Sequence, residues 1–268
     1  MGAIDKIILS SNEDPTYLEF WKPVSWAYKM MGYDVELALL TNRDDNSEIV
    51  KECRKHGDVT LFKPVPHIGE FAQAKMIRYL LASQQGEKVC YIDDIDLFPL
   101  SKDFIDGKVR ARPKDHLLCV GGEVYTNNGC YPASQMTAEG YIWKEIINPS
   151  DLPYEKLVEK WDEPPTFDRR EKISIPLDMA NDNYFSDERL LRRLITYSGV
   201  KKFEMQRGYG GDIKDVLDNT LDRYDWRIDQ NKLDNHGYLN AHCSRPYGLW
   251  TERLEPLIEY IKKTYGTK

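Results

Sequence analysis

Along the first hundred residues, short apolar runs alternate with longer segments whose apolar positions recur every three or four residues. Lys6–Leu9, Val35–Leu40, Val59–Phe62 and the run starting at Lys88 read as strands. Tyr17–Met31, Ser47–His56 and Gly69–Ser83 read as helices. Gly32 and Gly57 close the first two, and Phe71, Ala74, Ile77, Leu80 and Leu81 lie along one side of the third. Pro23 has to fall early in the first helix or bend it. This β-α-β-α-β-α-β order predicts a parallel sheet with helices on both faces and right-handed crossovers. The expected class is therefore α/β, with an open, twisted sheet.

Beyond Leu100 the pattern loosens. Leu117–Val120 and Val200–Met205 are further strand candidates, and Asp151–Trp161, Asp187–Thr196 and Leu254–Tyr265 are helix candidates. Gly121-Gly122 and Asn127-Asn128-Gly129 mark turns, Ala138–Ile147 is mixed, Glu163–Ile175 reads as a charged surface loop, and Gln206–Asn240 is polar and irregular. No repeat, low-complexity tract or linker divides the chain. A single domain over 1–268 is the simplest account.

The organising stretch is Val89-Cys90-Tyr91-Ile92 running into Asp93-Asp94-Ile95-Asp96. A wholly apolar strand is covered on both faces, so this one belongs mid-sheet. Its acids then fall at the C-terminal strand edge, where open α/β sheets bind ligands. Asp94 and Asp96, one residue apart, share a face in extended backbone and repel when close unless a cation lies between them. Hard divalent ions take such carboxylates together with substrate phosphates. The plainer reading, a solvated acidic turn, stands beside this one.

Composition narrows the partners. The 268 residues carry a net charge of −7, which argues against a duplex nucleic-acid binder and requires a local cation beside any anionic nucleotide. No apolar run approaches a membrane span, and the first residues lack a signal-peptide pattern. Five cysteines without a Cys-x-x-Cys pair point to a reducing, cytoplasmic setting and no zinc site.

Four blocks carry a resemblance to a known family: Ile7-Ile8-Leu9-Ser10-Ser11-Asn12 before Pro15-Thr16-Tyr17; Phe71-Ala72-Gln73-Ala74-Lys75-Met76; Tyr91-Ile92-Asp93-Asp94-Ile95-Asp96; and His242-Cys243-Ser244-Arg245-Pro246-Tyr247-Gly248-Leu249-Trp250. The chain resembles glycosyltransferases of the GT-A fold that use nucleotide-diphospho-sugar donors. Within them it looks like the retaining family of glycogenin and bacterial galactosyltransferases, and it is similar in size to small viral glycosyltransferases. The resemblance implies a nucleotide-binding half over 1–100 and a sugar and acceptor half over 101–268, with a smaller mixed C-terminal region for the acceptor. It also implies a Mn²⁺ or Mg²⁺ ion on Asp94, Asp96 and His242, with Ser10, Ser11 and Asn12 at the nucleoside and Lys75, Asp93 and Arg245 at the donor. The family has Gly where this chain has Arg245, and Lys-Pro where it has Gly248-Leu249, so either Arg245 replaces a diphosphate-binding lysine or nothing does.

Ser186-Asp187-Glu188 opens an amphipathic helix. As a cap and dipole partner it explains itself; the resemblance also places Asp187 and Glu188 at the sugar as catalytic candidates. Asp182 and Asn183 are weaker candidates. Gly140, with Thr137 and Ala138, reads as a close-approach point or a turn, and Tyr209, Trp226, Tyr247 and Trp250 as stacking platforms or core. The activity expected is metal-dependent transfer of a hexose from a UDP-sugar to a glycan or protein-linked acceptor. The competing readings are a nucleotidyltransferase or phosphohydrolase using the same acids, and a non-catalytic sugar-nucleotide-binding module. The turn Ser10–Asp14 has no glycine, which counts against a nucleotidyltransferase phosphate loop.

Overall fold

The computed structural model describes residues 4–120, 131–162, 186–205 and 219–266. Its centre is a seven-stranded sheet in the order β3-β2-β1-β4-β7-β6-β8. The strands are β1 (Lys6–Asn12), β2 (Val35–Leu40), β3 (Asp58–Phe62), β4 (Val89–Ile92), β6 (Leu117–Val120), β7 (Met136–Glu139) and β8 (Lys202–Met205). Neighbours are parallel except at β7, which runs antiparallel to both β4 and β6. The expected α/β class and mostly parallel sheet are what the chain adopts. A second sheet holds β5 (Leu97–Pro99), β10 (Asn240–His242) and β9 (Thr220–Leu221), with β10 central.

Period-two alternation divides the core between the two sheet faces. Ile8, Cys90 and Ile92 pack on one side with α4 (Glu70–Ser83), α6 (Gly140–Ile147), α7 (Tyr154–Asp162) and α8 (Ser186–Ser198). Ile7, Leu9, Val89 and Tyr91 pack on the other with α2 (Trp21–Met30), α5 (Lys102–Ala111) and α10 (Thr251–Tyr265). Two shorter helices, α3 (Glu48–Arg54) and α9 (Gln230–Asp234), complete the described elements. Charge inside the sheet is matched: Lys6 Nζ lies 2.8 Å from Glu36 on the adjacent strand.

The structure departs from the sequence pattern in three places. The helix expected over Tyr17–Met31 is two helices, α1 (Pro15–Leu18) and α2, broken at Glu19-Phe20. Leu18, Phe20 and Trp21 are all buried. A straight helix sets Leu18 and Phe20 roughly 200° apart, and the break lets both turn inward. The first turn of α2 takes Pro23 as expected, and Gly32 ends it at φ 87°. The mixed stretch resolves into β7 running directly into α6. At the join, a Cβ on Gly140 would stand 2.6 Å from the Gly86 nitrogen and 2.8 Å from the Ala82 carbonyl oxygen. Gly140 is thus a backbone contact with the end of α4 rather than a point facing a ligand. The irregular stretch after Gln206 contains β9, α9 and the start of β10.

Candidate active site

Strand β3 leads through α4 back across the sheet to β4, beside β1, so strand order reverses between β1 and β2 on one side and β4 on the other. Such a switch point opens a crevice at the carboxyl ends of the strands. A cavity of about 420 Å³ occupies it. Ser10, Ser11 and Asn12 from the end of β1 line it, as do Asp94 and Asp96 from the turn after β4. Helix α4 contributes Phe71, Ala74, Lys75 and Arg78, one helical face by their i, i+3, i+4 and i+7 spacing. Pro132–Gln135 enter ahead of β7, whose reversed direction brings its N-terminal end to this rim.

Two further segments come from far along the chain. Leu190, Leu191 and Ile195 anchor α8 in the core, which leaves Asp187 and Glu188 of its first turn in the cavity wall. Strand β10 pairs antiparallel with β5, His242 opposite Leu97, and Cys243 N donates to the Asp96 carbonyl at 2.9 Å. That register puts His242 Nε2 3.7 Å from Asp96 Oδ2.

The acids are held by cations. Arg78 Nη1 donates to Asp94 Oδ1 at 2.6 Å and to the Asp93 carbonyl at 3.0 Å, and Nη2 is 3.7 Å from Asp187 Oδ2. Lys75 Nζ is 3.1 Å from Asp187 Oδ1. Around Asp96 Oδ2 stand Arg245 Nε at 3.4 Å and Arg223 Nη1 at 3.5 Å. Arg245 also donates to the Tyr17 hydroxyl, and Arg223 Nη2 lies against His242 Nε2. Of the carboxyl groups Asp94, Asp96, Asp187, Glu188 and Asp222 and the cations Lys75, Arg78, Arg223 and Arg245, all line this one space.

Burial opposes charge on Asp94, but Arg78 outweighs it and holds the carboxyl below its usual range. Asp96 is pushed up by burial, and the Asp94 charge adds to that against the pull of His242, Arg245 and Arg223. Glu188 rises to about 8, through burial and then the charges of Asp187 and Asp94; its Oε2 is buried without a hydrogen-bond partner. His242 is lowered by burial, and Arg223 adds to the effect. Arg223 Nη2 faces both ring nitrogens, Nδ1 at 3.2 Å, and since a guanidinium can only donate, the nitrogen that bonds it has to offer its lone pair.

Of the residues singled out in the sequence, Ser10, Ser11, Asn12, Lys75, Asp94, Asp96, Asp187, Glu188, His242 and Arg245 all line the cavity. Asp93 does not. Alternation carries it onto the Tyr91 side of the sheet, where it is 2% exposed and accepts from the Tyr28 hydroxyl at 2.5 Å and from its neighbour's Asp94 N at 3.0 Å. In this position Asp93 is a buried support for the acidic turn. Tyr247 packs on Phe20 and Trp250 lies under Arg253, while Trp226 is partly buried on the core. The cavity's aromatic residues are instead Tyr17, Phe71 and Tyr224. Asp182, Asn183, Tyr209, Cys130 and the turns at 121–122 and 127–129 lie outside the described residues, as do the charged loop at 163–175 and the first part of the polar stretch, 206–218. Arg78 and Arg223 were not anticipated: Arg78 is one turn from Lys75 on the same helix face, whereas nothing local marks Arg223.

No family model matches the sequence, and no curated protein matches it. Over 99% of its length the chain is similar to the crystal structure of the glycosyltransferase GlyE from Streptococcus pneumoniae TIGR4, at 12% identity and a TM-score of 0.46. The apo form of GlyE gives 11% identity and 0.46 over 98% of this chain. The chain spans 64% of the GlyE chain in each case. It is also similar to galactosyltransferase LgtC in complex with donor and acceptor sugar analogs, at 11% identity and 0.48, covering 95% of both chains. Among the described residues no helix is long and apolar enough to cross a membrane.

Proposed function

We propose that the protein is a glycosyltransferase that moves a hexose from a nucleotide-diphospho-sugar, UDP-linked by preference, to a glycan or protein-linked acceptor, with retention favoured. One observation carries this reading. Three remote segments, the end of β1, the acidic turn after β4 and the imidazole of β10, converge on one cavity at the switch point of the sheet. Residues 1–100 then form the nucleotide half and 101–268 the acceptor half.

The donor set fits a divalent ion of the Mn²⁺ or Mg²⁺ kind: Asp94 and Asp96 supply hard oxygens and His242 a borderline nitrogen, which favours Mn²⁺. Among the described residues no group of three or more His, Cys, Asp or Glu side chains is placed to hold a metal ion, and the Arg223 guanidinium reaches both His242 and Asp96. Charge balance supports the ion as well. With Glu188 protonated near neutral pH, four carboxylates face four cations, so a diphosphate brings unmatched negative charge. When bound, the ion would neutralise charge on the leaving diphosphate.

The residues present have separate tasks. Ser10, Ser11 and Asn12 meet the nucleoside at the end of β1. Lys75 and Arg78 fix Asp187 so that it accepts hydrogen bonds from the transferred sugar, and Arg245 supplies the charge-assisted donor for the diphosphate. As the bond from the anomeric carbon to the diphosphate oxygen breaks, its electron pair stays with the diphosphate. The acceptor oxygen bonds that carbon and its proton passes to the released diphosphate oxygen, while Glu188, protonated near neutral pH, is a hydrogen-bond donor in the wall rather than the base.

A thermal-shift panel of nucleoside diphosphates with and without Mn²⁺ tests the proposal. One or two nucleotides should stabilise the protein, and only when metal is present. Equal stabilisation by every nucleotide, or a metal effect that survives Asp94→Asn together with Asp96→Asn, overturns it. Metal-dependent hydrolysis of nucleoside triphosphates without sugar transfer would favour the phosphohydrolase reading instead.

A further inference from the structure

Arg223 occupies an unusual position for a cation. It follows β9 on a short turn, yet its side chain is 11% exposed and lines the cavity. Nη2 faces both ring nitrogens of His242, one of which would give a metal its lone pair. Nη1 is 3.5 Å from Asp96 Oδ2. Nε and Nη1 are buried without a hydrogen-bond partner. A buried guanidinium with two unsatisfied donors is costly unless an acceptor arrives, and a diphosphate presents paired oxygens that such a fork can hold.

We propose that Arg223 and a metal ion compete for Asp96 and His242: without nucleotide the guanidinium keeps both groups, and when nucleotide and metal bind together it transfers to the diphosphate. This rests on the function proposed above and adds the order in which the site is filled. A guanidinium and a divalent ion cannot both hold the same carboxylate and imidazole. The ring's lone pair serves one of them at a time, and two cations a few ångströms apart repel. Metal entry therefore requires Arg223 to leave. Without a nucleotide, the displaced guanidinium gains nothing in exchange. With one, it gains the charge-assisted hydrogen bonds its Nε and Nη1 lack. Arg223 thus makes metal and nucleotide binding mutually dependent, and the coupling is reciprocal.

The test is direct Mn²⁺ binding, read from the electron paramagnetic resonance signal of free Mn²⁺, with and without UDP. Wild type, Arg223→Gln, Arg223→Lys and Asp96→Asn are compared, with far-ultraviolet circular dichroism as the check on folding. Without nucleotide, Arg223→Gln should bind Mn²⁺ about fivefold or more tighter than wild type, and UDP should improve its Mn²⁺ affinity by a smaller factor than in wild type. Arg223→Lys has a shorter reach to the ring and should also bind Mn²⁺ tighter without nucleotide, which keeps the test alive if the glutamine variant fails to fold. Unchanged or weaker Mn²⁺ binding in the folded variants, with binding abolished by Asp96→Asn, overturns the role of Arg223 and leaves the metal site standing. Equal Mn²⁺ binding by wild type and Asp96→Asn at every UDP concentration defeats the underlying function instead, and this proposal with it.

Discussion

Replacing Arg78 by methionine should destabilise the protein by about 3 kcal/mol, because it leaves the buried Asp187 with Lys75 as its remaining counter-charge and takes the partner from the part-exposed Asp94. The Arg78 side chain is 4% exposed and joins three points: Asp94 at 2.6 Å, the Asp93 carbonyl at 3.0 Å and Asp187 at 3.7 Å. Two of these lie on the turn after β4 and the third on α8, 93 positions further along (187 − 94). Methionine keeps most of the apolar stem, so the loss is electrostatic rather than a cavity. For a chain of this size the change corresponds to a fall in Tm of about 10 °C. Urea denaturation of wild type, Arg78→Met, Asp187→Asn and the double variant measures it. Asp187→Asn should cost less in the Arg78→Met background than alone, with a coupling of about 1–3 kcal/mol. Because the cluster is buried, 0.5 M salt should leave that coupling nearly unchanged. A loss of under about 1 kcal/mol, or strictly additive single changes, would refute the idea that Arg78 ties the acidic turn to α8.

Three further outcomes follow from the same geometry. Glu188→Gln should be more stable than wild type at neutral and alkaline pH. The folded-state value near 8 lies above the ordinary 4.5, so the contribution of the protonated carboxyl is complete below about 4.5 and lost as pH rises through about 8, a gap of a few kcal/mol that melts at pH 4.5 and 8.5 would reveal. Gly140→Ala should cost about 1–3 kcal/mol in chemical denaturation, since the added carbon meets backbone atoms of Ala82 and Gly86 that cannot move aside. His242→Ala should leave the melting temperature of the unliganded protein within a few degrees of wild type while weakening Mn²⁺ binding in the presence of UDP about tenfold or more, measured by calorimetry.

What could be read from the sequence was whatever repeats over several residues. The alternation of β1 to β4 with their helices was legible because each strand is apolar on both faces and each helix carries a stripe. So was α8, whose Leu190, Leu191 and Ile195 mark one side. The site was legible where chemistry is concentrated in a few neighbouring residues, as at Asp94 and Asp96. Strands β5, β9 and β10 span only two or three residues, too few for any period, and exist because β10 finds β5 across the fold. Arg223 was hidden for the same reason. Flanked by Asp222 and Tyr224 in a polar stretch, it looks like any solvated cation until β9 is laid beside β10. Asp93 was harder to place, because three acids in four positions leave the register open. The side of the sheet that Tyr28 packs against decides it.

Strand β7 has a consequence beyond its pairing. Its reversal means that chain leaving β1, β4, β6 and β8 and chain arriving at β7 all reach the same rim, while the opposite rim includes the tight junction at Gly86 and Gly140. Away from the ion pairs of Arg78, insertions and substitutions on the first rim can reshape the cavity without disturbing the scaffold. On the second they have no such freedom, so diversification of this architecture should be one-sided.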